Sequence, residues 1–184
     1  MRKIFAFLMA TVDGYYEGPN QEFDWPNLDG EFDEFAVEQL GEVDTLLFGR
    51  VTYEGMAAFW PMPAAKGEDS RVTARMNSIS KIVVSRTLDT AEWANTRLIT
   101  DGVTEELTRL KQEPGKDIAI FGSSDLTVSL LKLGLVDELR IMVSPVVFGA
   151  GKSLFRTADE TINLKLRKTR VFDSGNVLHC YLPA

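Results

Sequence analysis

Hydrophobic and polar residues follow two rhythms along this chain. Unbroken apolar runs fill Ile4 to Ala10 and the cores of Asp44 to Phe48, Lys81 to Ser85 and Asp117 to Phe121. A strand covered on both faces reads this way, because each side chain meets another layer whichever way it points. Between the runs the spacing changes to that of helices. Over Glu31 to Leu40, Phe32, Phe35, Ala36 and Leu40 share one face, with Gly41 placed to close the helix. Helices are also expected over 51–59, 71–78, 104–112 and 125–133, the last followed by Gly134. A short strand is expected over 96–100 and a further strand over 139–147. Asp13-Gly14 breaks the first strand, and 18–26 and 64–70 read as loops. Near the end, 164–172 and 177–182 alternate around Asp173-Ser174-Gly175-Asn176, as an antiparallel pair does. The expectation is one α/β domain over residues 1–184. Its central sheet is mainly parallel, with helices on both faces and a C-terminal antiparallel hairpin.

Composition narrows the chemistry. Of 184 residues, 45% are hydrophobic, enough for a full core in one domain. The net charge of −7 argues against binding nucleic acid through phosphates, which takes a basic face. The single His (His179) and single Cys (Cys180) exclude zinc clusters, disulfide frameworks and two-histidine metal sites. No metal is expected. A Ser-His-Asp triad would have to run through His179. The first apolar run stops at Thr11-Val12-Asp13, too soon for a secretion signal, and no run is long enough for a membrane span. With one cysteine, the expected location is the reducing cytoplasm.

Three predicted strand ends carry groups that suit anions. Ile118 to Phe121 runs into Gly122-Ser123-Ser124, where a glycine permits close backbone approach and a helix begins. The alternative is a plain helix cap at Ser124. Leu46 to Phe48 runs into Gly49-Arg50-Val51-Thr52-Tyr53, and Val84 into Ser85-Arg86-Thr87. Each Arg alone reads equally as a surface residue; three such ends in an acidic chain point to a ligand with several phosphates. Gly149 to Ser153 ends in the GKS of a phosphate loop, but Val146 stands where its first glycine is needed. Two carboxylates are candidates for proton transfer. Asp13 follows the first strand, where it serves equally as a turn former. Glu31 opens the first helix one turn from Phe35, as a relay or as a solvated helix-start carboxylate.

Taken together, the motifs resemble the dihydrofolate reductase superfamily, and within it the C-terminal reductase domain of the riboflavin enzyme RibD. The segments are Thr11-Val12-Asp13-Gly14-Tyr15, Phe48-Gly49-Arg50-Val51-Thr52-Tyr53, Val83-Val84-Ser85-Arg86-Thr87, Phe121-Gly122-Ser123-Ser124, and Pro145 to Gly151 with Leu154-Phe155. They cover nearly the whole chain. The resemblance implies a dihydrofolate-reductase-like fold and NADPH. Arg50 and Thr52, beside Gly49, would hold phosphates; Ser85, Arg86 and Thr87 would surround the 2′-phosphate. Gly122, Ser123 and Ser124 would cradle the pyrophosphate. Met9 to Thr11, including Ala10, would face the nicotinamide. Glu31 falls on the folate enzymes' proton-relay carboxylate, and Asp13 is the second catalytic candidate. Ile79-Ser80-Lys81 replaces the Arg that clamps the folate tail. The nearest activity is reduction of 5-amino-6-(5-phosphoribosylamino)uracil; the alternatives are a dihydrofolate reductase and a non-catalytic NADPH-binding protein. Expected partners are a small heterocyclic substrate and a second copy in a homodimer, with neither nucleic acid nor membrane.

Overall fold

The first apolar run forms β1 (Ile4–Thr11), and its side chains divide between two cores. Phe5 and Phe7 pack on one face of the sheet with Phe35 and Leu40, while Ile4, Ala6 and Leu8 pack on the other with Leu107 and Leu130. Both faces are therefore dry, which is why the run lacks polar breaks. The computed structural model describes residues 1–20 and 24–184, and the backbone alone of Ala64 and Lys66. The middle of the expected 18–26 loop, 21–23, thus lies outside the described residues.

After β1 come β2 (Tyr15–Glu17), α1 (Gly30–Glu42), β3 (Val43–Gly49) and α2 (Arg50–Phe59). A 3-10 turn (Pro63–Gly67) precedes α3 (Ser70–Ser78), β4 (Ser80–Val84), β5 (Thr96–Ile99) and α4 (Val103–Gln112). Then follow β6 (Asp117–Phe121), α5 (Ser124–Lys132), β7 (Glu138–Ser144), β8 (Lys152–Ser153), β9 (Leu164–Val171) and β10 (Val177–Pro183). The main sheet has eight strands in the order β5-β4-β3-β6-β1-β7-β10-β9. From β5 to β7 all neighbours run parallel, and β10 runs antiparallel to β7 and β9. The expected fold class therefore holds.

Three local readings change. Gly41 does not close α1, which continues to Glu42 and passes directly into β3. Half of the expected 64–70 loop is the 3-10 turn, opened by Pro63. The ribbon of β2 and β8 carries no sequence pattern, because strands this short form only when distant segments meet. Gly151 makes that meeting possible: a Cβ there would lie 2.3 Å from the Glu17 carbonyl oxygen. By contrast, Gly134 ends α5 as expected, with φ +66 and its N–H bonded to the Leu131 carbonyl. No described helix is long and apolar enough to cross a membrane.

Candidate functional site

The strand order creates the site. The chain leaves β1 for β3, β4 and β5, then returns to set β6 between β3 and β1. The helices that follow the neighbours β3 and β6 go to opposite faces. Tyr53 of α2 packs into the core shared with α1, and Leu130 of α5 into the core shared with α4. Neighbouring strands whose helices diverge leave a crevice at their carboxyl ends, the usual ligand position in open α/β sheets.

Two helix N-termini face this crevice. α2 starts after Gly49 and α5 after Ser123, and neither has a side-chain cap. No N-cap side chain engages their first N–H groups, which stand at the positive ends of two helix dipoles, where anions bind. Ser124 is not the cap that one reading of the sequence expected; its buried hydroxyl donates to the Leu154 carbonyl. Ser123 instead adopts the left-handed conformation, φ +54, and turns its hydroxyl across the crevice. There Oγ accepts the Gly49 N–H at 2.9 Å, while the Ser123 N–H donates to Thr52 Oγ1 at 3.1 Å. Both hydroxyl oxygens accept from backbone, so their protons remain to be donated. Gly122, at φ +67, is held close: a Cβ there would lie 3.2 Å from Thr52 Cγ2.

The remaining sequence candidates except Glu31 fall along the same edge. Ser85 Oγ accepts from the N–H groups of Thr87 and Leu88 at 3.1 and 3.0 Å, fixing the turn after β4. Arg86 and Thr87 stand exposed on that turn, and Arg86 makes no ion pair among the described residues. Arg50 is also exposed, paired with Glu54 one turn on at 2.8 Å. Such a surface pair is worth only about 0.3–0.5 kcal/mol, so an incoming phosphate can displace it. In sheet order the ends read β4 (Ser85 to Thr87), β3 (Gly49 to Thr52), β6 (Gly122 to Ser124) and β1. Neighbouring strands lie about 4.8 Å apart, so this row spans roughly 14 Å.

Ala10 and Thr11, at the β1 end, are buried. The Thr11 hydroxyl donates to Asp13 at 2.7 Å and accepts the Tyr15 N–H at 2.9 Å. Asp13 also accepts the Phe148 and Gly149 N–H groups, the latter at 2.7 Å. The Thr11 hydroxyl, then the Gly149 amide, holds its carboxyl below the usual range. Asp13 thus pins the 145–151 loop beside the β1 end, where Phe148 meets Trp25 edge-on. Glu31 sits elsewhere. One oxygen accepts from Arg170 at 3.2 Å and the other from the Asp173 N–H at 2.9 Å, tying α1 to the β9–β10 hairpin. No hydrogen bond joins the two carboxylates. Arg170 was not a sequence candidate, because only the hairpin register sets it opposite Leu178, over Phe172 and beside Glu31.

Lys81 answers the folate question. It is fully buried, and Nζ donates to the carbonyls of Met76, Asn77 and Ile79. It cannot reach out to a substrate carboxylate.

Comparisons with known proteins agree with this architecture. The family model described as the RibD C-terminal domain matches residues 2–178. The uncharacterized protein YyaP of Bacillus subtilis (strain 168) is 37% identical over 180 residues, 98% of this chain and 94% of that protein. A putative riboflavin biosynthesis protein from Shewanella sp. PV-4 superposes with a TM-score of 0.76 at 21% identity, covering 99% of each chain. A dihydrofolate reductase from Enterococcus faecalis, solved with NADP(H), gives 0.63 at 18% identity over 98% of this chain and 96% of that one. At these identities the two solved structures establish a dihydrofolate-reductase-like fold.

Proposed function

Since this chain belongs to the RibD C-terminal domain family, we propose that it is a reductase taking hydride from NADPH for a small heterocyclic substrate. One observation carries the reading: two uncapped helix N-termini, α2 and α5, meet across the β3–β6 crevice through Ser123 and Thr52. Helix-start N–H groups, outward hydroxyl protons and Arg50 form a donor set suited to a diphosphate. Gly122, Ser123 and Ser124 cradle the pyrophosphate, with Gly49, Arg50 and Thr52 facing them. Ser85, Arg86 and Thr87 surround the adenosine 2′-phosphate. Ala10 and Thr11 wall the nicotinamide end, and Asp13 acts by holding the 145–151 loop over it. When bound, NADPH supplies the hydride. Glu31, at the start of α1, handles the proton that the substrate gains.

The nearest family activity is reduction of 5-amino-6-(5-phosphoribosylamino)uracil, and we take a pyrimidine of that kind as the first substrate to try. The folate reading is weaker, because Lys81 is spent on three carbonyls inside the fold.

Thermal melting with NADPH and a cofactor-oxidation assay test the reading together. Saturating NADPH should raise Tm by mass action, since it binds the folded chain. An unchanged Tm would remove the cofactor assignment. A raised Tm without oxidation on aminopyrimidine and pterin panels would make the chain a non-catalytic NADPH binder. In the same assay Glu31→Gln should lower kcat by about 10²–10⁴-fold, the usual size of general acid–base catalysis, with NADPH affinity unchanged. If turnover holds and only Tm falls, Glu31 is a strut between α1 and the hairpin.

A further inference from the structure

On the reductase reading, the substrate lies at the β1 end, between the start of α1, the 145–151 loop and the 172–176 turn. These segments are tied together. Asn27 Nδ2 donates to the Ser174 carbonyl at 3.0 Å, Asn176 Nδ2 donates to the Asn27 carbonyl at 2.6 Å, and Trp25 meets Phe148. Beside them, on the α1 side of the sheet, Met9, Phe32 and Phe121 are only partly buried. Such a wall suits a flat ring.

The charge at this end is negative. Residues 4–49 hold eleven Asp and Glu and no Lys or Arg, and 141–151 and 171–184 add no Lys or Arg either. Cations that border the region are already matched. Arg170 reaches Glu31 at 3.2 Å and Glu38 at 3.3 Å. Arg71 bridges Glu34 and Asp69 at 2.6 and 2.8 Å, and Lys152 holds Glu17 at 2.5 Å. Asp33 registers the field: burial, then the Asp69 carboxylate, holds its carboxyl above the usual range.

The helix start at this end is also closed to anions. Asp29 Oδ1 caps α1 by accepting the Phe32 N–H at 3.0 Å, and Glu31 and Asp33 follow in the first turn. α2 and α5, where the cofactor phosphates are placed, have no side-chain cap. A phosphate at the start of α1 would meet three carboxylates instead of an open dipole.

We propose that the site selects an aminopyrimidine without phosphate, carrying a neutral sugar or polyol chain, and rejects its phosphoribosyl form. A phosphate dianion needs an Arg, a Lys or an open helix start. Ring and exocyclic amino groups are donors, and the carboxylates here accept. Built-in repulsion sets specificity as much as attraction does.

Calorimetric titration of the full chain with 5-amino-6-(ribosylamino)uracil and with its 5′-phosphate, without and with NADPH, tests this beside NADPH oxidation on the same pair. The phosphate-free compound should bind roughly tenfold or more tightly and show the higher kcat/KM. The gap should shrink in about 1 M salt, where screening acts over ~3 Å. Asp29→Asn keeps an N-cap while losing its charge; combined with Asp33→Asn it should narrow the gap. If that double variant does not fold, Asp33→Asn alone should narrow it by less. Equal or tighter binding of the phosphate ester, a gap that ignores both salt and the variants, or binding of neither compound would overturn the proposal. An unchanged Tm with NADPH would remove the reductase reading instead and leave the comparison of affinities in force.

Discussion

Lys81 is a buried cation with opposing influences. Its Nζ donates to Ile79 at 2.7 Å and Met76 at 3.0 Å, and lies 4.4 Å over the Trp93 ring. Burial pushes its ammonium down to about 8. The carbonyls and the ring pull the other way, since both favour the charged form. Unfolded lysine titrates near 10.4. If burial wins, the unfolded chain holds a proton between pH 8 and about 10.4 that the folded chain has released. Stability from this group then rises with pH across that window and is lost as pH falls through 8. Lys81→Met lacks the effect and cancels other titrations in the comparison. Wild-type Tm should rise relative to that of Lys81→Met from pH 8 toward pH 10, by about 2–4 °C for each kcal/mol. A constant gap would mean that the carbonyls keep the proton in place. The sequence could not foretell this environment. Ser80-Lys81-Ile82 reads equally as a solvated strand start; the lysine turns inward because α3 ends at Ser78 with carbonyls to satisfy. Ser123 was legible as a donor near a phosphate cradle, but not its left-handed backbone or its bond to Gly49.

Helices and strands were mostly readable because each carries its own period. Phe32, Phe35 and Leu40 announce α1, and the apolar runs announce β1, β3 and β6. What the pattern lacks is anything set by two distant segments, such as the β2–β8 ribbon or the contact between the starts of α2 and α5. That contact can be tested at Gly122. Alanine there would be strained at φ +67, on the order of 1–3 kcal/mol, and its Cβ would crowd Thr52 Cγ2 at 3.2 Å. Gly122→Ala should lower Tm and weaken NADPH binding together. Adding Thr52→Ser removes Cγ2 but keeps a hydroxyl for the Ser123 N–H. The double variant should recover the crowding part of both losses and none of the backbone strain. If it matches Gly122→Ala, the two helix starts are not packed tightly enough to matter.

The order of the strands was beyond reach of the sequence, because one buried apolar run looks like another. Only the C-terminal hairpin could be placed, since a connection of five residues, 172–176, forces β9 and β10 together. Yet the order gives the candidate residues their meaning. Spread along the chain from residue 10 to residue 124, they become one row: β4, β3, β6, β1. An extended dinucleotide lying along that row would set its parts against different ends, with the adenosine 2′-phosphate over β4 and the nicotinamide over β1. On that reading Arg86 would occupy the end that distinguishes NADPH from NADH, and it makes no ion pair with a carboxylate among the described residues. A hydrogen bond between charged groups is worth about 1.5–3 kcal/mol. Arg86→Ala should therefore raise the Kd for NADPH by roughly 10–100-fold and leave that for NADH nearly unchanged. Arg50, beside the crevice where both cofactors would bind, should behave differently: Arg50→Ala should weaken both to a similar extent. Fluorescence titration of each variant with each cofactor separates the cases. Equal weakening of NADPH and NADH by Arg86→Ala would take the 2′-phosphate away from β4, and the direction of the cofactor along the row would have to be reversed.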